Sequence, residues 1–370
     1  ALKWMFDKEA PLLFRPQLDW DQWRWGLKFL AQCNDTAFER NVQQIVALGA
    51  YSHAALKDLV ASTGIEYNRL ERGIAHFYTD QKSFDAAGHA VELMRKFGVQ
   101  RRLVSREELL KIEPAFKAYG DKITGGTYTS TDESGDARVF TQELARRCAA
   151  RGAQFLYGHD VLRLNKIGDA IDSVAVIARN TGAGGQKDFI LKADAFVVAC
   201  GSYSAPLLRT VGVDLPIYPG KGYSATFPLL KPEGAPMVST IDDGKKIAMS
   251  RLGNVLRVAG TIELGGFDMS LDSPVARARC HMLSRRIAEI LPGVCDTRTP
   301  EEGGNPQYWT GLRPATPTNI PFIGQTRVGK LWVNAGHGTL GWTHGAGSGK
   351  AMAELLSGEV PAMNFGFLGV

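Results

Sequence analysis

The residues that point most directly to chemistry are glycines. They stand at 336, 338, 341, 345, 347 and 349, in Gly336-His337-Gly338-Thr339-Leu340-Gly341-Trp342-Thr343 and the stretch that follows. An apolar run, Leu331–Asn334, reads as a strand before them, and a segment from about Thr343 to Ser357 reads as a helix after them. Glycines between a strand and a helix let the backbone come close to a planar or anionic ligand. The helix N-terminus adds unpaired N–H groups and the positive end of the dipole, which favours a negative charge by about 0.3–1 kcal/mol. The plainer alternative is a tight packing turn. Gly345-Ala346-Gly347-Ser348-Gly349-Lys350 is not a phosphate loop: the spacing is one residue short, Ala351 stands where Ser or Thr is needed, and the stretch lies inside the expected helix.

Other chemistries find less support. The five cysteines, Cys33, Cys148, Cys200, Cys280 and Cys295, are odd in number and form no CxxC, which argues against a disulfide framework or zinc site and for a reducing compartment. The histidines other than His337 and His344 are scattered without metal-ligand spacing, so no metal is expected. A net charge of +5 is spread along the 370 residues with no basic block, so nucleic acid is not an expected partner. With 44% hydrophobic and 22% charged residues the composition is that of a globular protein. No apolar run is long enough for a transmembrane helix and no signal peptide opens the chain, so a cytoplasmic location is expected.

The elements that must position the glycine turn are legible in outline. Near the start, Trp20, Trp23, Leu27 and Leu30 fit one helix face, in a segment that mixes aromatic and basic residues. Two accounts fit: a packed amphipathic helix, or an interfacial anchor with Trp and Lys or Arg at headgroup level. A longer helix follows, with Phe38, Val42, Ile45, Gly49, Ser52, Leu56 and Leu59 as its buried stripe and Gly64 at its end. Ile74–Tyr78 reads as a strand, Ser83–Phe97 as a helix with Ala87, Val91 and Met94 inward, and Arg106–Ile112 as a short helix stopped by Pro114. Thr124–Ser130 is extended, a helix spans Val139–Ala150, and a strand is expected at Gln154–Tyr157.

Ile171–Ala178 and Phe189–Leu191 predict a hairpin around Gly182-Ala183-Gly184-Gly185. Ala195–Ala199 is a continuous apolar run, the pattern of a parallel strand buried on both faces. Residues 215–260 read as several short strands, Pro274–Leu291 as a helix, and Gln307–Arg313 and Ile320–Gly324 as strands. Segments 137–205 and 325–358 thus look like one α/β layer, and those between and before like a second domain.

Several stretches, in order along the whole chain, resemble the D-amino-acid dehydrogenase branch of the FAD-dependent D-amino-acid/glycine oxidase superfamily. They are Leu2-Lys3-Trp4-Met5-Phe6, Asp132-Glu133-Ser134-Gly135-Asp136, Gly201-Ser202-Tyr203-Ser204, Tyr218-Pro219-Gly220-Lys221-Gly222-Tyr223-Ser224, Trp309-Thr310-Gly311-Leu312-Arg313-Pro314 and Gly336–Thr343. The resemblance implies FAD, oxidation of a D-amino acid to an imino acid, and electrons passed to a quinone or other acceptor. It implies a fold that is α/β and α+β: a Rossmann-like, glutathione-reductase-like FAD layer interleaved with a substrate domain on a mainly antiparallel sheet. On that plan residues 1–64 are a helical link, 65–136 and 206–324 the substrate domain, and 137–205 and 325–370 the FAD-binding part.

The resemblance also assigns roles. Gly336, His337, Gly338, Thr339, Leu340, Gly341, Trp342 and Thr343 are expected at the flavin, His337 through its backbone more than as a base. Val161 resembles the position whose backbone meets the adenine, although a buried apolar valine reads equally well from spacing. Ala199, Cys200 and Gly201 end the buried strand beside the cofactor, with Cys200 a packed thiol. Arg313 is the expected partner of the substrate carboxylate, by two parallel charge-assisted hydrogen bonds; Thr316 stands three residues on, and a surface ion pair is the alternative. Tyr223 and Tyr308 are expected either to line the pocket or to be core tyrosines. Lys221 could add positive potential, and His344 is a weaker expectation. No acid–base pair is needed where the cofactor takes a hydride and the protein supplies position and charge.

One departure is large. The family opens with a βαβ unit of about 30 residues carrying G-x-G-x-x-G and a following acidic residue. No such unit is found ahead of Gly26, the first glycine. The FAD layer is therefore expected to be incomplete, and a second chain could carry the missing unit. Three functions remain open on sequence: a D-amino-acid dehydrogenase, peripheral to the inner membrane or not; a sarcosine, glycine or D-hydroxyproline oxidase using oxygen; and a non-catalytic subunit that needs a partner for FAD.

Overall fold

The computed structural model describes residues 10–179 and 188–370. Leu2–Phe6 and the glycine turn at 182–185 lie outside the described residues. From the N-terminal side run β1 (Leu12–Phe14), α1 (Trp20–Ala31), α2 (Asp35–Thr63), β2 (Ile74–Tyr78), α3 (Gln81–Lys96), β3 (Arg101–Ser105), α4 (Arg106–Ile112) and β4 (Gly125–Thr129). Next are α5 (Ala137–Ala150), β5 (His159–Ile167), β6 (Ala170–Ala178), β7 (Asp188–Leu191), β8 (Phe196–Val198), α6 (Ser204–Arg209) and β9 (Tyr218–Pro228). The last part holds β10 (Ser239–Asp242), β11 (Ile247–Leu252), β12 (Val255–Leu264), α7 (Pro274–Ile290), β13 (Gln307–Ala315), β14 (Phe322–Gln325), β15 (Leu331–Ala335) and α8 (Gly341–Leu356).

Short polar side chains start these helices. The Asn34 side chain accepts from the Ala37 N–H at the head of α2, and Ser273 does the same for Ala276 ahead of Pro274 in α7. Gly64 ends α2 at φ +63, a left-handed position with little cost only for glycine.

The chain divides into two compact units. The first comprises Ala1–Gln17, Glu66–Thr141 and Gly220–Leu312. Its centre is a nine-stranded sheet in the order β13-β9-β12-β11-β10-β2-β4-β3, with β1 alongside β12. Most neighbours run antiparallel, while β10–β2 and β1–β12 are parallel. α7 lays Cys280, Leu283, Ile287 and Ile290 onto Phe77, Phe116, Phe227 and Met249. This burial is the unit's main source of stability.

The second unit comprises Leu18–Ile65, Gln142–Pro219 and Arg313–Val370. One sheet has the order β14-β15-β8, with β15 and β8 parallel, and a second is the antiparallel β5-β6-β7. α2 and α8 pack together over Leu48, Met352 and Leu355. The breaks differ from those expected at 205/206 and 324/325. Residues 206–219 stay with the second unit because Leu208, Val211, Val213 and Ile217 share a core with Val198, Leu331 and Val333. Residues 18–64 are part of that unit rather than a link, and β14 joins it through Ile323.

Four local expectations are corrected. Gln154–Tyr157 is not a strand; the strand begins at His159, after a turn at Gly158 with φ +70. The buried stripe of α2 is Ala37, Asn41, Leu48, Ser52, Ala55 and Leu56, so Phe38 faces out at 54% exposure. β8 is not buried on both faces: it ends its sheet, and Val197 is 41% exposed. In α1 the buried residues are Gln22 and Trp25. Trp25 donates to the Ala315 carbonyl at 2.9 Å and stacks on Phe29, so the stripe Trp20, Trp23, Leu27 and Leu30 points outward.

Candidate active site

β8 and β15 are parallel neighbours, with Phe196, Val197 and Val198 opposite Leu331, Trp332 and Val333. Their carboxyl ends therefore lie side by side, which is where open α/β sheets bind ligands. Both ends leave through glycine: Gly201 at φ +56 after β8, and Gly336 at φ +92 after β15. Two of the three segments expected at the cofactor, Ala199–Gly201 and Gly336–Thr343, are thus brought together. The third, Val161, sits in β5 of another sheet, paired with Val176 and 46% exposed rather than buried. Cys200 is exposed rather than packed; partial desolvation still pushes its thiol up from the ordinary value, the direction of a poor nucleophile.

The turn after β15 uses glycine for two reasons. Gly336 has no room for a side chain, since a Cβ would lie 2.8 Å from Thr316 Cγ2. Gly338, at φ +54, has only Asn319 Oδ1 near the limit of contact, so its face is open. Gly338, Thr339 and Leu340 form one 3-10 turn, and α8 starts at Gly341. Gly345 and Gly349, one helical turn apart, have nothing within 4 Å of where a Cβ would be. A cavity of about 250 Å³ opens here, lined by Asn334, His337, Gly338, Gly341, Gly345 and Ser348, with Pro314 at its edge. The G-x-G-x-x-G spacing does occur in this chain, at Gly336–Gly341, but after β15 rather than in an opening βαβ unit.

His337 Nε2 lies 2.8 Å from Ser348 Oγ. Burial, and then the neighbouring His344, hold the His337 imidazole down at about 4. Burial likewise holds His344 at about 4. Both rings are neutral near pH 7, so His337 places no positive charge in the cavity wall. Asn334 Nδ2 donates to the Ser348 carbonyl at 3.4 Å. Asn334 Oδ1 is buried without a hydrogen-bond partner among the described residues. A buried acceptor left open in a cavity floored by glycines and a helix N-terminus suits a flat group bearing N–H donors on one edge and partial negative charge on another, as an isoalloxazine does. The residues present therefore fit the ring end of FAD.

Arg313 lies near the end of β13, next to Pro314 at the cavity edge. Desolvation lowers its guanidinium from the ordinary value, the direction expected of a cation drawn out of water. The bond from Trp25 to Ala315 fixes the strand two residues away.

Tyr223 and Tyr308 belong to the first unit. Tyr223 is 1% exposed, and its hydroxyl donates to Glu263 Oε2 at 2.5 Å. Arg15 holds the other carboxylate oxygen at 2.8 Å. Arg279 and Lys221 stand against the Tyr223 ring at 5.7 and 5.5 Å from its centroid. Arg279 donates to the Ala10 carbonyl, and Lys221 donates to the Ser270 carbonyl with Asp268 beyond it. Burial and the Glu263 contact push the phenol up. Tyr223 is thus a core tyrosine with its hydroxyl already engaged, and Lys221 is buried rather than solvated. Tyr308 is half-buried, with its hydroxyl 2.7 Å from Ser284 Oγ.

Glu263 follows a bulge in β12 between Gly260 and Glu263, where Thr261 takes φ +58. A β-branched residue there is a true outlier, and bulges of this kind re-aim side chains. Glu263, Asn334 and Ser348 were not singled out from the sequence. A glutamate near the end of a β-branched, mostly apolar strand was the available signal for the first, while the other two carry none without their partners.

Parallel strands ending in paired glycine turns, one of them opening a helix, define a nucleotide-cofactor unit of α/β type; the other unit is built on a large mixed sheet. The chain belongs to the FAD dependent oxidoreductase (DAO) family, whose profile matches residues 13–355. Among its relatives, a D-amino acid dehydrogenase of Dechloromonas aromatica is 46% identical over 368 residues, covering 100% of this chain and 84% of that protein. A second, from Paramagnetospirillum magneticum, is 40% identical over 372 residues, covering 100% and 83%. Among solved structures, glycine oxidase from Geobacillus kaustophilus superposes with a TM-score of 0.72 at 23% identity, over 87% of this chain and 81% of that one. That likeness supports the mixed α/β fold. FAD is the family's cofactor. Among the described residues no helix is long and apolar enough to cross a membrane, and no cluster could hold a metal.

Proposed function

We propose that this chain oxidises D-amino acids to imino acids with FAD and passes the electrons to a quinone or other carrier. The observation that carries the reading is the pairing of β8 and β15, whose carboxyl ends both leave through glycine turns, with Arg313 next to the cavity that the turn after β15 lines. The relatives named D-amino acid dehydrogenase, matched along the whole chain, supply the substrate class.

Bound FAD would supply the acceptor for a hydride from the substrate α-carbon. The chain's own residues do the rest. Arg313 holds the substrate carboxylate in a two-pronged grip, which orients the α-carbon and fixes which hydrogen faces the cofactor. The turn at 336–343, apart from the Leu340 N–H that is paired with His337 O, and the positive end of α8 would stabilise the negative charge that the reduced cofactor carries. His337 and His344 stay neutral and do not compete for the carboxylate.

In this reading the pyrophosphate cradle comes from a βαβ unit outside these 370 residues, on the same or a second chain. Among the described residues no strand pairs with the outer edge of β8, and with the exposed Val197 this supports an added strand there. The outward stripe of α1, with Trp20 and Trp23, supports a peripheral contact with the inner membrane from the cytoplasmic side, where a quinone would be met.

The test is anaerobic dye reduction by the FAD-loaded protein. D-alanine or D-proline should reduce the dye and the L-enantiomers should not. Reduction by glycine or sarcosine alone, with hydrogen peroxide released in air, would replace this reading with an oxidase. FAD-loaded protein inert to every amine would leave a non-catalytic subunit.

A further inference from the structure

We propose that Ser348 is a positioning residue for the cofactor-facing turn and acts through His337. This rests on the reading of 336–343 as the flavin contact and goes beyond it, because Ser348 itself lies in the second turn of α8.

The turn has little stiffness of its own. His337 sits at φ −71 between Gly336 at φ +92 and Gly338 at φ +54, so its backbone alternates between left- and right-handed regions. Glycines permit that path but do not select it, since each is free to leave. Gly336 is held on one side by Thr316, and Leu340 N–H closes back on the His337 carbonyl at 2.9 Å. Neither contact fixes the His337 side chain. Ser348 does, with Oγ 2.8 Å from Nε2.

Ser348 is well placed for this. It is 1% exposed, so its hydroxyl meets little competition from water. Its carbonyl receives Asn334 Nδ2 from the end of β15 while its hydroxyl meets His337. One helical residue thereby ties the strand end and the turn to α8, the element whose N-terminal dipole the turn must align with. Tilting the turn would move its amides off the cofactor without breaking any backbone bond of the sheet.

The test is a double-mutant cycle on the holoenzyme with Ser348→Ala, His337→Ala and the double variant. The readouts are the FAD dissociation constant and the flavin midpoint potential, with thermal melting as a control. Loss of one neutral hydrogen bond corresponds to about a 2- to 10-fold change in affinity. Ser348→Ala should weaken FAD by that factor and lower the potential when His337 is present. In the His337→Ala background the same substitution should change neither. His337→Gln, which can offer an amide to Ser348, should restore part of the dependence.

Wild-type affinity and potential in Ser348→Ala would overturn the proposal. An equal effect of Ser348→Ala in both backgrounds would do so too, because Ser348 would then act without His337. Both readouts are taken without substrate. A holoenzyme that binds FAD but oxidises no D-amino acid would therefore defeat the functional reading and leave the cycle intact.

Discussion

Gly347 of α8 lies against Ser52 of α2 so closely that a Cβ at position 347 would come 2.6 Å from the Ser52 Cα, while the Gly347 N–H reaches Ser52 Oγ at 3.0 Å. Backbone meets backbone there, and neither helix can yield locally. Gly347→Ala should cost about 1–3 kcal/mol by overpacking. Gly349→Ala, two residues on, meets nothing within 4 Å and should instead stabilise by up to about 1 kcal/mol through helix propensity. Chemical denaturation of the two variants checks the pair, and equal shifts in either direction would contradict the packing account.

Arg313 carries the substrate prediction. Arg313→Ala should lower kcat/KM for a D-amino acid by about 10- to 100-fold, the worth of a charge-assisted hydrogen bond. Arg313→Lys keeps the charge but not the fork and should recover only part of the loss. Steady-state kinetics with D-alanine decide it; an unchanged KM in both variants would assign the carboxylate to another residue.

Glu263 is the joint of the first unit. Removing it leaves the buried Tyr223 hydroxyl without its acceptor and removes the Glu263–Arg15 ion pair. Glu263→Ala should cost about 1–3 kcal/mol, because Arg15 can turn to water but Tyr223 cannot. Glu263→Gln, which still accepts from the phenol, should cost less. Urea midpoints of the two variants, compared at one pH, test the ordering.

The buried histidines make acid sensitivity predictable. His337 and His344 are held near 4 in the folded protein, against an ordinary value near 6.5. Between those values the unfolded chain binds the protons and the folded one does not, so stability falls as pH drops through that window and is fully present above it. The slope is at most about 1.4 kcal/mol per histidine per pH unit. Replacing His344 with Gln should flatten the dependence of the melting temperature on pH between about 6.5 and 4, and an unchanged slope would mean that His344 titrates normally.

Much of the element pattern was legible in the sequence because it is written in local chemistry. Ile74–Tyr78 and Arg106–Ile112 begin and end where their patterning and stops predict, and α7 ends within one residue of expectation. Which face an amphipathic helix buries was not legible. In α1 an apolar stripe at helical spacing competed with Trp25, and what buries Trp25 is the bond to the Ala315 carbonyl, 290 residues away along the chain. The same holds for β8: its composition is that of a central strand, but its burial depends on what lies beside it.

Residue types and spacing alone determined that a glycine turn joins a strand to a helix, that metal and thiol chemistry are poorly supported, and which family the motifs resemble. They could do so because backbone freedom, dipole direction and ligand spacing are properties of a few neighbouring residues. Only the tertiary structure decided that Gly201 and Gly336 leave adjacent parallel strands, that Tyr223 is already engaged by Glu263, and that Ser348 reaches His337. Each of those facts depends on backbone geometry in three dimensions: a strand pairing, a bulge that re-aims a carboxylate, and a helix whose second turn faces the residues that lead into it.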